Sequence, residues 1–112
     1  MEVMDDSQPM MLLRARAKED VRAAFFAWFR DVHLRDVEKI PGIRSVESGT
    51  TAAGTKLGMY SFESSDVVQS ALSSPEAAYA RGTWERWAPH LEELLIEIFA
   101  PLFPLPIYQS RS

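Results

Sequence analysis

The stretch RAAFFAWFRDVHLRDVEKIPG, residues 22 to 42, governs how the chain folds. Successive residues of an α-helix are turned by 100°. At that interval Val21, Phe25, Trp28, Phe29, Val32 and Ile40 gather in one arc, while Arg22, Arg30 and Glu38 fall outside its centre. Such an arc is the buried stripe of an amphipathic helix, and the spacing predicts one from residue 18 to about residue 39. Pro41-Gly42 stops it, because proline restricts the residue before it and glycine permits the turn after it.

Before this helix, residues 10 to 17 (MMLLRARA) alternate Leu13, Ala15 and Ala17 with Leu12, Arg14 and Arg16, the two-residue period of a strand with one apolar and one polar face. After it, residues 43 to 50 and 56 to 63 read as a hairpin joined by Thr51-Ala52-Ala53-Gly54, with Val46, Leu57, Met59, Tyr60 and Phe62 available for the sheet. Ser64-Ser65-Asp66 and Ser74-Pro75-Glu76 each offer a helix start, through a side-chain oxygen that accepts from a free first-turn amide. The second of these helices is expected to run through Tyr79, Trp84 and Trp87 to the neighbourhood of Pro89. Residues 94 to 99 read as a last strand, since they are rich in isoleucine and are followed by Pro101, Pro104 and Pro106. The expected division is a disordered leader over residues 1 to 9, one domain over 10 to 104 and a tail over 105 to 112. The order strand, helix, strand, strand, helix, strand is that of a ferredoxin-like α+β fold with a four-stranded antiparallel sheet.

Composition narrows the functions such a fold can serve. With 112 residues, the chain makes one domain whose core is small for a drug-sized pocket, so a second copy is expected to supply a wall. Hydrophobic residues at 46% and charged residues at 25% place it with folded soluble domains. A net charge of −4 argues against nucleic acid, whose recognition needs clustered Lys and Arg. The absence of cysteine removes disulfides, thiolate nucleophiles and Cys-ligated zinc, and fits a cytoplasmic setting. Residues 1 to 10 are acidic where a signal peptide is basic, and no apolar run approaches the roughly 20 residues of a membrane span. With only His33 and His90, no ligand-spaced cluster and no glycine-rich loop before a helix, neither a metal nor a nucleotide is expected.

The motif His33-Leu34-x-Asp36-Val37-x-x-Ile40-Pro41-Gly42 closes an aromatic-rich helix and is followed by Trp87-x-Pro89 and by Ala100-Pro101-Leu102-Phe103. In order and spacing these residues resemble the EthD-like branch of the dimeric α+β barrel superfamily, over residues 12 to 103. Arg35 stands where relatives often carry proline. The resemblance implies a homodimer in which two ferredoxin-like subunits pack sheet against sheet, with a ligand cavity between sheet and helices. It also implies cofactor-free chemistry such as monooxygenation, polyketide or aromatic cyclisation, or lactone isomerisation. Some members of the superfamily bind haem, which a single histidine can ligate, but no cofactor is expected here. The dimer also has a physical motive, because a sheet covered by helices on one face must make its other face polar or bury it, and Leu57, Met59, Leu95 and Phe99 are apolar.

His33 is the leading candidate for chemistry, since an imidazole with an ordinary pKa near 6.5 can take up a proton at neutral pH. The alternative is a histidine that only satisfies a helix C-terminus. Asp36 falls inside the buried arc and needs a partner: His33, Arg14 or the amides after Gly42. Tyr60 offers a phenolic donor to a developing enolate, or else simply packs. Arg14, Trp28, Trp84 and Trp87 are the candidates for contact with a small hydrophobic, aromatic or polyketide-like ligand, with core packing or solvation as the alternative for each. His90 is expected in solvent.

Overall fold

A computed structural model describes residues 8 to 100. The remainder, which includes the three distal prolines and nearly all of the expected leader and tail, lies outside the described residues. Four strands form one antiparallel sheet: β1 (Met10–Ala17), β2 (Ile43–Thr50), β3 (Lys56–Phe62) and β4 (Leu91–Phe99), in the spatial order β2-β3-β1-β4. The first crossover carries α1 (Arg22–Trp28), a π-helical turn (Phe29–His33) and α2 (Leu34–Glu38). The second carries α3 (Val68–Leu72) and α4 (Pro75–Gly82). This is the ferredoxin-like α+β arrangement predicted from the order of elements.

Local chemistry explains the punctuation. Gly42 has φ of +98° and Gly54 has φ of +89°, left-handed values that cost glycine nothing, and they close the α2-β2 and β2-β3 turns. Ser74 caps α4, its hydroxyl accepting from the Ala77 amide, with Pro75 at the first helical position where it loses no hydrogen bond. Ser64, by contrast, makes no side-chain cap.

Three expectations shift. The helix begun at Pro75 ends at Gly82 instead of continuing to Pro89; residues 83 to 87 form successive turns that bring Trp84 and Trp87 over the aromatic face of α1. The last strand starts at Leu91, three residues before the apolar run, because Leu91 and Glu93 pair with Ala17 and Arg16 of β1. Pro9, assigned to the leader, is buried, and its carbonyl accepts from the Phe62 amide at 3.0 Å.

The core lies between the helices and one face of the sheet. Leu13, Ala15 and Ala17 of β1 and Tyr60 and Phe62 of β3 meet Phe25, Trp28, Phe29, Val37 and Ile40. The alternation read from residues 10 to 17 is therefore real, and its small residues let the bulky aromatic side chains of α1 come down onto the sheet. Among the described residues, no helix covers the opposite face of the sheet.

Candidate functional site

The π-helical turn is what places His33. A regular helix would have kept Val32 in the buried arc. A π turn holds more residues per turn and rotates the residues after it, so that Val32 is half-buried while His33 points inward and is only 3% exposed. The imidazole sits in an aromatic nest, stacked on Trp28 with centroids 5.7 Å apart and met edge-on by Trp84 at 5.0 Å.

Both ring nitrogens are engaged. Nε2 lies 2.7 Å from the Tyr60 hydroxyl on β3, and Nδ1 accepts from the Trp84 indole Nε1–H at 3.2 Å. Burial in this apolar surrounding pushes the His33 pKa down from 6.5 to about 4, so the ring is neutral at pH 7. Burial likewise pushes the Tyr60 phenol above its ordinary value, and the hydroxyl keeps its proton. Tyr60 reaches the histidine by lying flat along β3 across Gly58. A β-carbon at Gly58 would collide with the Tyr60 hydroxyl, so the glycine is the space in which the phenol rests.

Next to this pair a cavity of about 260 Å³ opens between the sheet and the helices. Its walls are apolar, with Leu13, Val37 and Phe62 deep inside and Ile96 and Ile98 of β4 at the open side. The polar groups on its lining are those of His33, Tyr60, Trp84 and Arg81. The space exists because α4 turns Ala77 and Ala80 toward the sheet where large residues would have filled it. Arg81, one residue on, stands at the mouth and donates to the Leu72 carbonyl at 3.1 Å. The arrangement can hold a flat apolar molecule and offer its oxygen atoms a neutral hydrogen-bonding pair in surroundings of low polarity, where such bonds count for more than in water.

Of the sequence-predicted residues, His33, Tyr60 and Trp84 come together at this cavity, with Trp28 stacked behind the imidazole and not on the cavity wall. Asp36 does not orient His33. The histidine nitrogens are taken by Tyr60 and Trp84, and the buried Asp36 carboxylate lies in a separate hollow with Lys39, Glu76 and Tyr79, its Oδ2 without a hydrogen-bond partner among the described residues. Neither Arg14 nor the turn after Gly42 serves as its partner. Arg14 projects from the helix-free face of the sheet, where Nε is 3.2 Å from Glu93 Oε2, and does not line the cavity. Trp87 packs edge-on against Phe25 at 5.2 Å and borders a hollow near His90 instead. His90 is exposed, as expected. Sequence reasoning missed Arg81 and the alanines of α4; the signal for them was the pair Ala77 and Ala80 at helical spacing, small residues on the inward side of a helix that had no other reason to be thin.

No family model matches the chain, and no curated protein sequence does. Solved structures do. Rv0793 from Mycobacterium tuberculosis is similar at 20% identity, over 88% of this chain and 99% of that one, with a TM-score of 0.65. SnoaB, a cofactor-independent oxygenase from Streptomyces nogalater, is similar at 13% identity, over 89% and 98% of the two chains, with a TM-score of 0.64. An EthD family protein from Bacillus halodurans is similar at 16% identity over 80% and 96%, with a TM-score of 0.61. At these identities the likeness is one of fold, and it is the fold of antibiotic biosynthesis monooxygenase-like and EthD family proteins. Among the described residues, no helix is long and apolar enough to cross a membrane.

Proposed function

We propose that this protein is a homodimeric, cofactor-independent enzyme. It takes a small apolar compound, aromatic or polyketide-like, into the cavity beside His33 and Tyr60 and carries out proton transfer, cyclisation or, with dioxygen as co-substrate, oxygenation. The observation that supports it best is the contrast within the cavity: apolar walls and, at one place, a buried histidine and tyrosine 2.7 Å apart with no structural ion pair to explain them. A pair of titratable groups with displaced pKa values in a concave apolar site is the usual mark of proton chemistry. SnoaB and the EthD family protein, which share the fold, are in keeping with a small-molecule role. His33 and Tyr60 form the proton-exchanging pair, with Trp84 as wall.

The dimer is part of the reading. On the helix-free face, Met59, Leu95 and Phe99 are exposed large hydrophobic side chains. Covering each against a second sheet contributes on the order of 1.5–3 kcal/mol.

The test is a panel of 1-tetralone, 2-naphthol and a cyclic β-diketone, scored by thermal shift and by consumption of the compound or of oxygen. Turnover of one class, lost in both His33→Gln and Tyr60→Phe, is expected. Binding that persists without turnover under every condition marks a binding protein of the same fold. The absence of binding by any of the three removes the cavity as a ligand site.

A further inference from the structure

The hydrogen bonds around His33 have a direction, and Trp84 sets it. An indole N–H can donate and can never accept. Since Trp84 Nε1 points at His33 Nδ1 from 3.2 Å, Nδ1 must present its lone pair. A neutral imidazole carries one proton, so that proton is on Nε2, and the 2.7 Å contact to Tyr60 is a bond that His33 donates and the phenolic oxygen accepts. The Tyr60 hydroxyl then keeps its own hydrogen, and His33 is its one hydrogen-bond partner among the described residues. The phenol borders the cavity. The same geometry resists protonation of the ring, because a proton on Nδ1 would meet the indole N–H head-on. The charged group on the cavity lining is the cation Arg81, on α4, and the elements packed on the ring, α1, β3 and the turn after α4, present it with aromatic groups and no carboxylate. The depressed His33 pKa agrees with this.

We infer that Trp84 is a positioning residue. It holds His33 as the Nε2–H tautomer, so that Tyr60 faces the cavity as a hydrogen-bond donor and the site selects ligands that present an acceptor oxygen, namely a ketone, quinone or enolate. This rests on the reading of the cavity as the ligand site. It also narrows that reading, because in the resting protein His33 supports Tyr60 as a donor and has no free lone pair with which to act as a base.

Long-range proton–nitrogen NMR of the histidine-labelled protein at pH 7 tests the tautomer without any ligand. The expected result is an Nε2–H signature for His33, with the Trp84 indole proton slow to exchange and close to the imidazole. In Trp84→Phe the two tautomers should mix. An Nδ1–H signature in the native protein, or an unchanged pure tautomer in Trp84→Phe, overturns the role given to Trp84. Should Trp84→Phe not fold, the wild-type spectrum alone decides.

The ligand half is tested with 1-tetralone, which offers an acceptor oxygen, against naphthalene and 1-aminonaphthalene. One added hydrogen bond should favour the ketone by about 3- to 10-fold, with the preference lost in Tyr60→Phe. Equal binding of all three overturns the acceptor-oxygen preference. If the tautomer is found as expected and none of the three binds, it is the cavity reading that fails while the position of Trp84 stands.

Discussion

The two faces of the sheet have been put to different uses, although the same strands make both. On the helix side, β1 and β3 present Leu13, Ala15, Tyr60 and Phe62, all buried, and the ionisable ring packed against them, His33, is held neutral. On the other side the same strands present Leu12, Arg14, Met59 and Ser61, and β4 adds Glu93, Leu95 and Phe99. There the charges keep their solvent and pair with one another, Arg14 with Glu93 and Arg16 with Glu92 and Glu93. One face therefore buries apolar side chains and a neutral imidazole, while the other mixes ion pairs with uncovered apolar side chains. A group buried on the first face is costly to change, and one on the second is tolerant until a partner covers it.

The largest effect that could undo this contrast is in the core. Phe29 is fully buried, and Phe29→Ala should cost about 3–5 kcal/mol in urea unfolding; a loss below one kilocalorie would show that the helix face is not the closely packed one. Next comes acid. The native pKa of His33, about 4, lies below its unfolded value near 6.5, so on acidification the unfolded chain takes up the proton first. Stability is whole above pH 6.5 and falls between pH 6.5 and 4, by up to about 3 kcal/mol from this residue. Unfolding at pH 7 and pH 4.5 should differ accordingly, and His33→Gln should flatten the difference; an equal slope in that variant assigns the loss to other groups.

A finer probe is Gly58→Ala. Its added methyl would occupy the place of the Tyr60 hydroxyl, and displacing the phenol should cost about 1–3 kcal/mol and alter the His33 resonances. Wild-type stability and spectra in that variant would mean Tyr60 does not lie across β3. The smallest effect belongs to the outer face. Arg14 is about half exposed, and Arg14→Ala should change stability by about 0–1 kcal/mol, with less effect at high salt. A larger loss would reveal that this face is covered, which the sedimentation of a dimer would register at once.

Tyr60 and Asp36 show what reading the chain leaves open. Each is a polar residue in an apolar pattern. Tyr60 proves to be joined to His33, a contact not read from the sequence, whereas Asp36, three residues from the histidine, is not. A regular helix would have put His33 and Asp36 side by side, but the π turn and the approach of Trp84 gave the imidazole other partners. Arg14 is a candidate for the cavity only so long as the direction of β1's polar face is open. The alternation of β1 was legible; which face the helices cover was not.

The order of amino acids is sufficient for the elements that depend on neighbours within a turn or two: the apolar stripe of the first helix, the Pro41-Gly42 stop, the alternation in β1, the hairpin and the Ser74-Pro75 start. Their succession was enough for the ferredoxin-like fold. The site needed the folded chain, because the His33 contacts span 27 residues to Tyr60 and 51 to Trp84. Contacts at that separation depend on strand register, on one π turn and on where α4 ends, and none of these is fixed by local periodicity.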